Sequence, residues 1–126
     1  MQAVVYAKDA ERLARFYEQV LGLSRQGSDP QWVHLQGDGV DLMIVAMPAH
    51  LAAEVQLQDP PLAREDTPIK LSFAVNSLLA IRPSVHSYGG VLRPLESAWV
   101  WRHQRHLDGL DPEGNVFQLR EPLTPT

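Results

Sequence analysis

The stretch Val5-Tyr6-Ala7-Lys8-Asp9-Ala10-Glu11-Arg12-Leu13-Ala14-Arg15-Phe16-Tyr17-Glu18-Gln19-Val20-Leu21-Gly22-Leu23 decides the fold. Its apolar period changes once. Gln2 to Ala7 is rich in β-branched and aromatic residues and reads as a strand. Lys8-Asp9 ends it, and Asp9 has the short acceptor side chain of a helix N-cap. From Ala10 to Leu21 the apolar residues Ala10, Leu13, Ala14, Tyr17 and Leu21 recur at helical spacing. Gly22 then supplies the residue on which helices commonly stop.

Outward from this unit, Ser28-Asp29-Pro30 reads as a turn and Trp32-Val33-His34-Leu35 as a short strand. Gln36-Gly37-Asp38-Gly39 is a hairpin turn, and Val40 to Met47 is the returning strand. Residues 48–68 hold four of the ten prolines and read as a connector. The pattern then restarts. Ile69 to Val75 is a strand, and Asn76 or Ser77 caps a helix that runs towards Tyr88 and stops at Gly89-Gly90. Pro83 inside that helix predicts a kink or a late start. A segment near Leu92–Leu95, strands over Ala98–Arg102 and His106–Leu110, the turn Asp111-Pro112-Glu113-Gly114-Asn115 and a last strand Val116–Arg120 follow. The tail 121–126 is expected to be loose.

The two halves overlay at a shift of 68. Gly22 then meets Gly90, Leu23 meets Val91, Arg25 meets Arg93, Leu13 meets Ile81 and Gln2 meets Lys70. The order of elements repeats, so we read a duplicated β-α-β-β-β unit, with modules over about 1–60 and 68–122 of one domain spanning 1–126. The fold class is α+β: a curved, partly closed mixed sheet with helices outside.

Composition narrows the function classes. The 126 residues are 44% hydrophobic and 21% charged, which is ordinary for a soluble domain. There is no cysteine, hence no disulfide and no thiolate chemistry. A net charge of −4 without a Lys/Arg block argues against nucleic acid. The longest apolar run without a charge, Leu42 to Leu51, is too short to span a bilayer. The N-terminus lacks the basic and apolar regions of a signal peptide, so a cytoplasmic location is expected.

Strand alternation sorts the side chains. Ala3, Val5, Ala7, Val33, Leu35, Leu42, Ile44, Leu71, Phe73, Phe117 and Leu119 share an apolar face suited to packing under helices. The opposite face mixes polar groups with large rings, including Trp32, His34 and Met43. Large apolar groups on open surface are costly, so this face reads as a groove. His34 and Asp41 are expected nearly opposite each other as a hydrogen-bonded pair, with a weaker reading as a general base. His103 and His106 lie three apart on a strand pattern, which points them to opposite faces. His50 and His86 read as surface residues. Trp99 and Trp101 share a face and suit either packing or stacking on a planar or cationic ligand. Arg102, Arg105 and Arg120 could meet a carboxylate.

Val5-Tyr6-Ala7-Lys8-Asp9 with Phe16-Tyr17-Glu18-Gln19-Val20-Leu21-Gly22-Leu23, and the closing Asp111-Pro112-Glu113-Gly114-Asn115-Val116-Phe117-Gln118-Leu119, resemble the vicinal oxygen chelate superfamily. That superfamily includes glyoxalase I, extradiol dioxygenases and bleomycin-resistance proteins. The resemblance covers nearly the whole chain and implies a homodimer with grooves composed of both modules. It also implies four places for metal ligands, usually His or Gln, Glu, His and Glu. Here they match Gln2, Asp41 or Met43, Lys70 and Gln118. An ammonium has no lone pair for a metal, and Gln118 offers a neutral oxygen where a carboxylate is expected.

The expectation is therefore a metal-free small-molecule binding protein of the bleomycin-resistance type, with no cofactor. Its apolar groove would hold an aromatic or cationic ligand among Trp32, His34, Met43, Lys70, Trp99, Trp101 and Gln118. The alternative is a lyase, isomerase or dioxygenase using a divalent metal through an unusual ligand set. A third reading is a metal-free enzyme with His34–Asp41 or Lys70 as base.

Overall fold

The carboxylate of Asp9 accepts a hydrogen bond from the Arg12 N–H at 3.1 Å, and helix α1 (Ala10–Leu21) begins there. Gly22 ends it at φ 67°. Leu13, Ala14, Phe16, Tyr17 and Val20 form its buried stripe. This computed structural model describes residues 1–64 and 68–123. Around α1 the first half holds strands β1 (Ala3–Ala7), β2 (Ser24–Asp29), β3 (Trp32–Gly37) and β4 (Val40–Ala46). The short helix α2 (Ala49–Ala52) lies in the expected connector. The second half holds β5 (Leu71–Ala74), α3 (Leu78–Ser87), β6 (Val91–Leu92), a 3-10 turn Leu95–Ser97, β7 (Trp99–Trp101), β8 (Gln104–Leu110) and β9 (Val116–Pro122).

The α+β class stands, with the sheet built as two mixed sheets. One has the order β1-β4-β3-β2 and the other β5-β9-β8-β6, with β7 pairing to the other end of β8 on the same edge as β6. In each, the strand that precedes the helix runs parallel to the last strand of its half. Ala3 pairs with Leu42 and Leu71 with Phe117. Ala3 and Leu71 differ by 68 positions, Leu42 and Phe117 by 75. The duplication is therefore in register through the helices and slips afterwards, where the 3-10 turn and β7 are inserted.

Several local expectations change. Ser28-Asp29-Pro30 is not simply a turn, because Ser24–Asp29 forms β2 along β3. That strand is polar and carries a register shift between Arg25 and Gly27. Arg25 pins it to α1 by ion pairs to Glu11 at 2.9 Å and Glu18 at 3.2 Å. Pro83 does not delay α3, which starts at Leu78 with the Ser77 hydroxyl accepting from the Ala80 N–H at 3.0 Å. The segment near Leu92–Leu95 is the two-residue strand β6 followed by the 3-10 turn. The tail is ordered through Pro122, and Glu121 caps the first N–H of α3, that of Leu78. Residues 124–126 of that tail, and 65–67 of the connector, lie outside the described residues.

One apolar cluster joins both halves. Phe16 and Tyr17 of α1 meet Phe117, and Tyr17 also meets Phe73, with ring centroids 5.8–6.4 Å apart. The two signature stretches supply the polar locks of this seam. The Tyr17 hydroxyl donates to Asp111 Oδ2 at 2.7 Å. Asp111 also accepts from the backbone N–H of Glu113 and Asn115 and from the Asn115 amide. Glu113, buried, accepts from the backbone N–H groups of Lys8 and Asp9, each at 2.8 Å. A Cβ on Gly114 would stand 2.2 Å from the Leu62 carbonyl oxygen, and its φ is +82°, so only glycine fits there.

Candidate functional site

The sheet faces turned away from the apolar core carry the candidate residues, in two groups. The first group lies on β3 and β4 and at the start of β1. His34 Nε2 is 2.7 Å from Asp41 Oδ1, which also accepts from Gln2 at 3.2 Å. Gln36 reaches the other oxygen, at 3.4 Å. The expected His34–Asp41 pair therefore forms, diagonally, since the register sets His34 opposite Met43 and Asp41 opposite Gln36. The hydrogen bond from His34, then that from Gln2, holds the Asp41 carboxyl below the usual carboxylate range. Met43 stands between Val4 and His34. Trp32 is half-buried, and its indole covers Gly27 of β2, where an added Cβ would stand 3.2 Å from the ring.

The second group lies on β5, β7, β8 and β9. Lys70 Nζ is 3.1 Å from both oxygens of Asp108 and 5.6 Å from the Trp99 ring centroid. The Asp108 side chain is partly exposed, yet its Oδ1 is buried and has no other polar partner. His106, itself buried, stacks on Trp99 at 5.7 Å and 15°. Its Nε2 faces the Trp101 carbonyl oxygen and its Nδ1 faces Gln118 Oε1, both at 3.0 Å. Ser72 donates to Gln118 Oε1 at 2.7 Å and accepts from Arg120 Nη1 at 3.0 Å.

Of the expected groove residues, Lys70, Trp99, Trp101 and Gln118 thus converge on the second sheet, and Trp32, His34 and Met43 on the first. His106, Asp108, Ser72 and Arg120 complete the second group. Only the alternation of β8 singles out His106 and Asp108 in the sequence. His103 sits at φ 62° in the β7–β8 turn, away from this network. Arg102 meets no carboxylate among the described residues but lies 4.8 Å from the Trp101 centroid. Arg105 pairs with Glu121 at 3.3 Å. His50 and His86 are exposed, as expected.

The registers also decide between Asp41 and Met43. Val4 pairs with Met43 as Ser72 pairs with Gln118, and Val4 and Ser72 occupy the same place in the repeat. Met43 is therefore the counterpart of Gln118, which leaves Gln2, Met43, Lys70 and Gln118 at the four positions. Two amides, a thioether and an ammonium do not suit a divalent metal, which needs anionic or imidazole donors. No three His, Asp or Glu side chains gather to hold an ion among the described residues.

A separate apolar cleft of about 420 Å³ opens at the seam of the halves, lined by Val4, Tyr6, Ile69, Leu71 and Val116 among others. No described helix is long and apolar enough to cross a membrane.

Residues 2–120 match the family described as glyoxalase-like domain. No curated protein matches the chain. Among solved structures, a glyoxalase/bleomycin resistance protein/dioxygenase family enzyme from Burkholderia phytofirmans PsJN is similar, with a TM-score of 0.73. It is 19% identical over 97% of either chain. The fosfomycin resistance protein FosX from Mesorhizobium loti gives a TM-score of 0.67 at 14% identity, over 96% of this chain and 89% of its own. FosX from Listeria monocytogenes gives 0.68 at 13%, over 96% and 90%. At such identities the likeness is one of fold.

Proposed function

Because the chain belongs to the glyoxalase-like domain family, we propose that it is a metal-free binder of the bleomycin-resistance type, holding a small aromatic or cationic molecule on its sheet faces. The observation that carries this reading is Lys70. The repeat puts its side chain where metal-using relatives are expected to place a ligand, and its ammonium is held there by Asp108. A positive charge already stands at the position and repels a divalent metal ion. Trp99 supplies apolar surface beside it, and Trp101, Trp32 and Met43 add more on the sheet faces. The FosX neighbours are resistance proteins by name, which accords with a scaffold that handles small molecules.

A homodimer with grooves composed of both modules fits the same reading. Val4, Tyr6, Ile69 and Val100 are exposed large apolar side chains that a partner copy would cover. Sedimentation at twice the chain mass is expected, and a monomer at all concentrations would count against it.

Intrinsic tryptophan emission tests binding. Saturable quenching or a spectral shift is expected with some member of a panel of aromatic compounds, in protein stripped by a chelator. A purified protein that holds metal stoichiometrically, and loses it on Asp41→Ala or Gln118→Ala, would instead favour a metal-dependent lyase, isomerase or dioxygenase.

A further inference from the structure

The charges on the two sheet faces differ in sign. The first group holds one fixed charge, Asp41, negative. The second holds Lys70 and Arg120 against Asp108, and is positive. Arg120 gives one hydrogen bond, to Ser72 Oγ, and has no ion pair among the described residues. Its remaining N–H donors have no protein acceptor there. Lys70 is 38% exposed at its side chain, so an ammonium with three donors keeps at least one for a ligand after meeting Asp108. Ser72 lies two residues after Lys70 on the same face and carries the Arg120 contact. Two cations thus flank one exposed hydroxyl, beside the exposed indoles of Trp99 and Trp101.

We infer that Lys70 and Arg120, on either side of Ser72, form an anion-holding subsite, and that the ligand is an aromatic acid whose carboxylate they take while its ring lies beside Trp99 and Trp101. This rests on the metal-free reading above and narrows its ligand. The ammonium replaces a metal as the electropositive group, and the guanidinium adds a planar fork suited to a carboxylate. A simple cation is repelled at this end. Asp108 is a positioning residue, since it touches the Lys70 ammonium.

Calorimetry on the full chain with three probes of one ring tests the assignment: 2-naphthoate, 2-naphthamide and 2-naphthylmethylammonium. Naphthoate is expected to bind about tenfold or more tighter than the amide, and the cation most weakly. Lys70→Met and Arg120→Gln should each shrink the preference for naphthoate over the amide, and Lys70→Arg should keep it. Naphthoate affinity should fall with added salt and ignore a chelator. Equal binding of all three probes, or a preference that survives both charge-removing variants, overturns the anion subsite but leaves the aromatic groove standing. Binding of none of the probes overturns both. Naphthoate binding that is lost in chelator overturns the metal-free premise.

Discussion

At the scale of single residues, the chain's acidic side chains do two kinds of work. Asp111 is fully buried and spends both oxygens on four donors, so it is a structural anchor. Burial pushes its carboxyl above the ordinary range, and hydrogen bonds from Tyr17 and Asn115 only partly offset that. Burial, then the Asp111 charge, raises the Tyr17 hydroxyl as well. Asp111→Ala strands all four donors and should cost about 3 kcal/mol or more, read from the urea midpoint. A loss below 1 kcal/mol would mean the seam does not depend on it. Asp41 behaves in the opposite sense. Its folded pKa is lowered, so its contribution is full above about pH 4 and is lost as pH falls through the lowered value. Stability measured from about pH 5 down to about pH 2 should fall more steeply in the native protein than in Asp41→Asn. Parallel curves would show that the His34 and Gln2 contacts do not act through the Asp41 charge.

At the scale of elements, the sequence was readable where period and caps agree. In α1, Asp9, Gly22 and the apolar stripe all point the same way. In β3 and β4, clean alternation around Asp38-Gly39 fixes a two-residue hairpin, with both residues at positive φ. β2 was not legible, because Ser-Arg-Gln-Gly-Ser-Asp has neither alternation nor β-branched residues. Backbone pairing to β3 and the long reach of Arg25 make it a strand, and both are tertiary effects. The site shows the same division. Lys70 was legible from its place in the repeat, and Gln118 from the resemblance of the closing stretch. The network of His106, Asp108, Ser72 and Arg120 was not, because it depends on the β8–β9 and β5–β9 registers. Those registers are set only after an insertion that breaks the shift of 68.

At the scale of the whole molecule, the halves repeat in sequence order but share one apolar cluster and exchange polar locks. A fragment of residues 1–60 loses the Phe73 and Phe117 packing and both carboxylates that tie the seam. It should show no cooperative thermal transition by circular dichroism, whereas the full chain unfolds in one step. A fragment that melts cooperatively would make the modules independent folding units.

Glu113 carries a consequence for how the chain is made. Its carboxylate satisfies the N–H groups of Lys8 and Asp9, which lie 105 and 104 positions earlier. The start of the first helix is therefore completed by a segment that leaves the ribosome long after the helix itself. Loop closure over such a span is slow compared with local helix formation. Until the second half has been made, the Phe16 and Tyr17 side of the helix lacks Phe73 and Phe117, so the seam is assembled after the first half has formed its local structure.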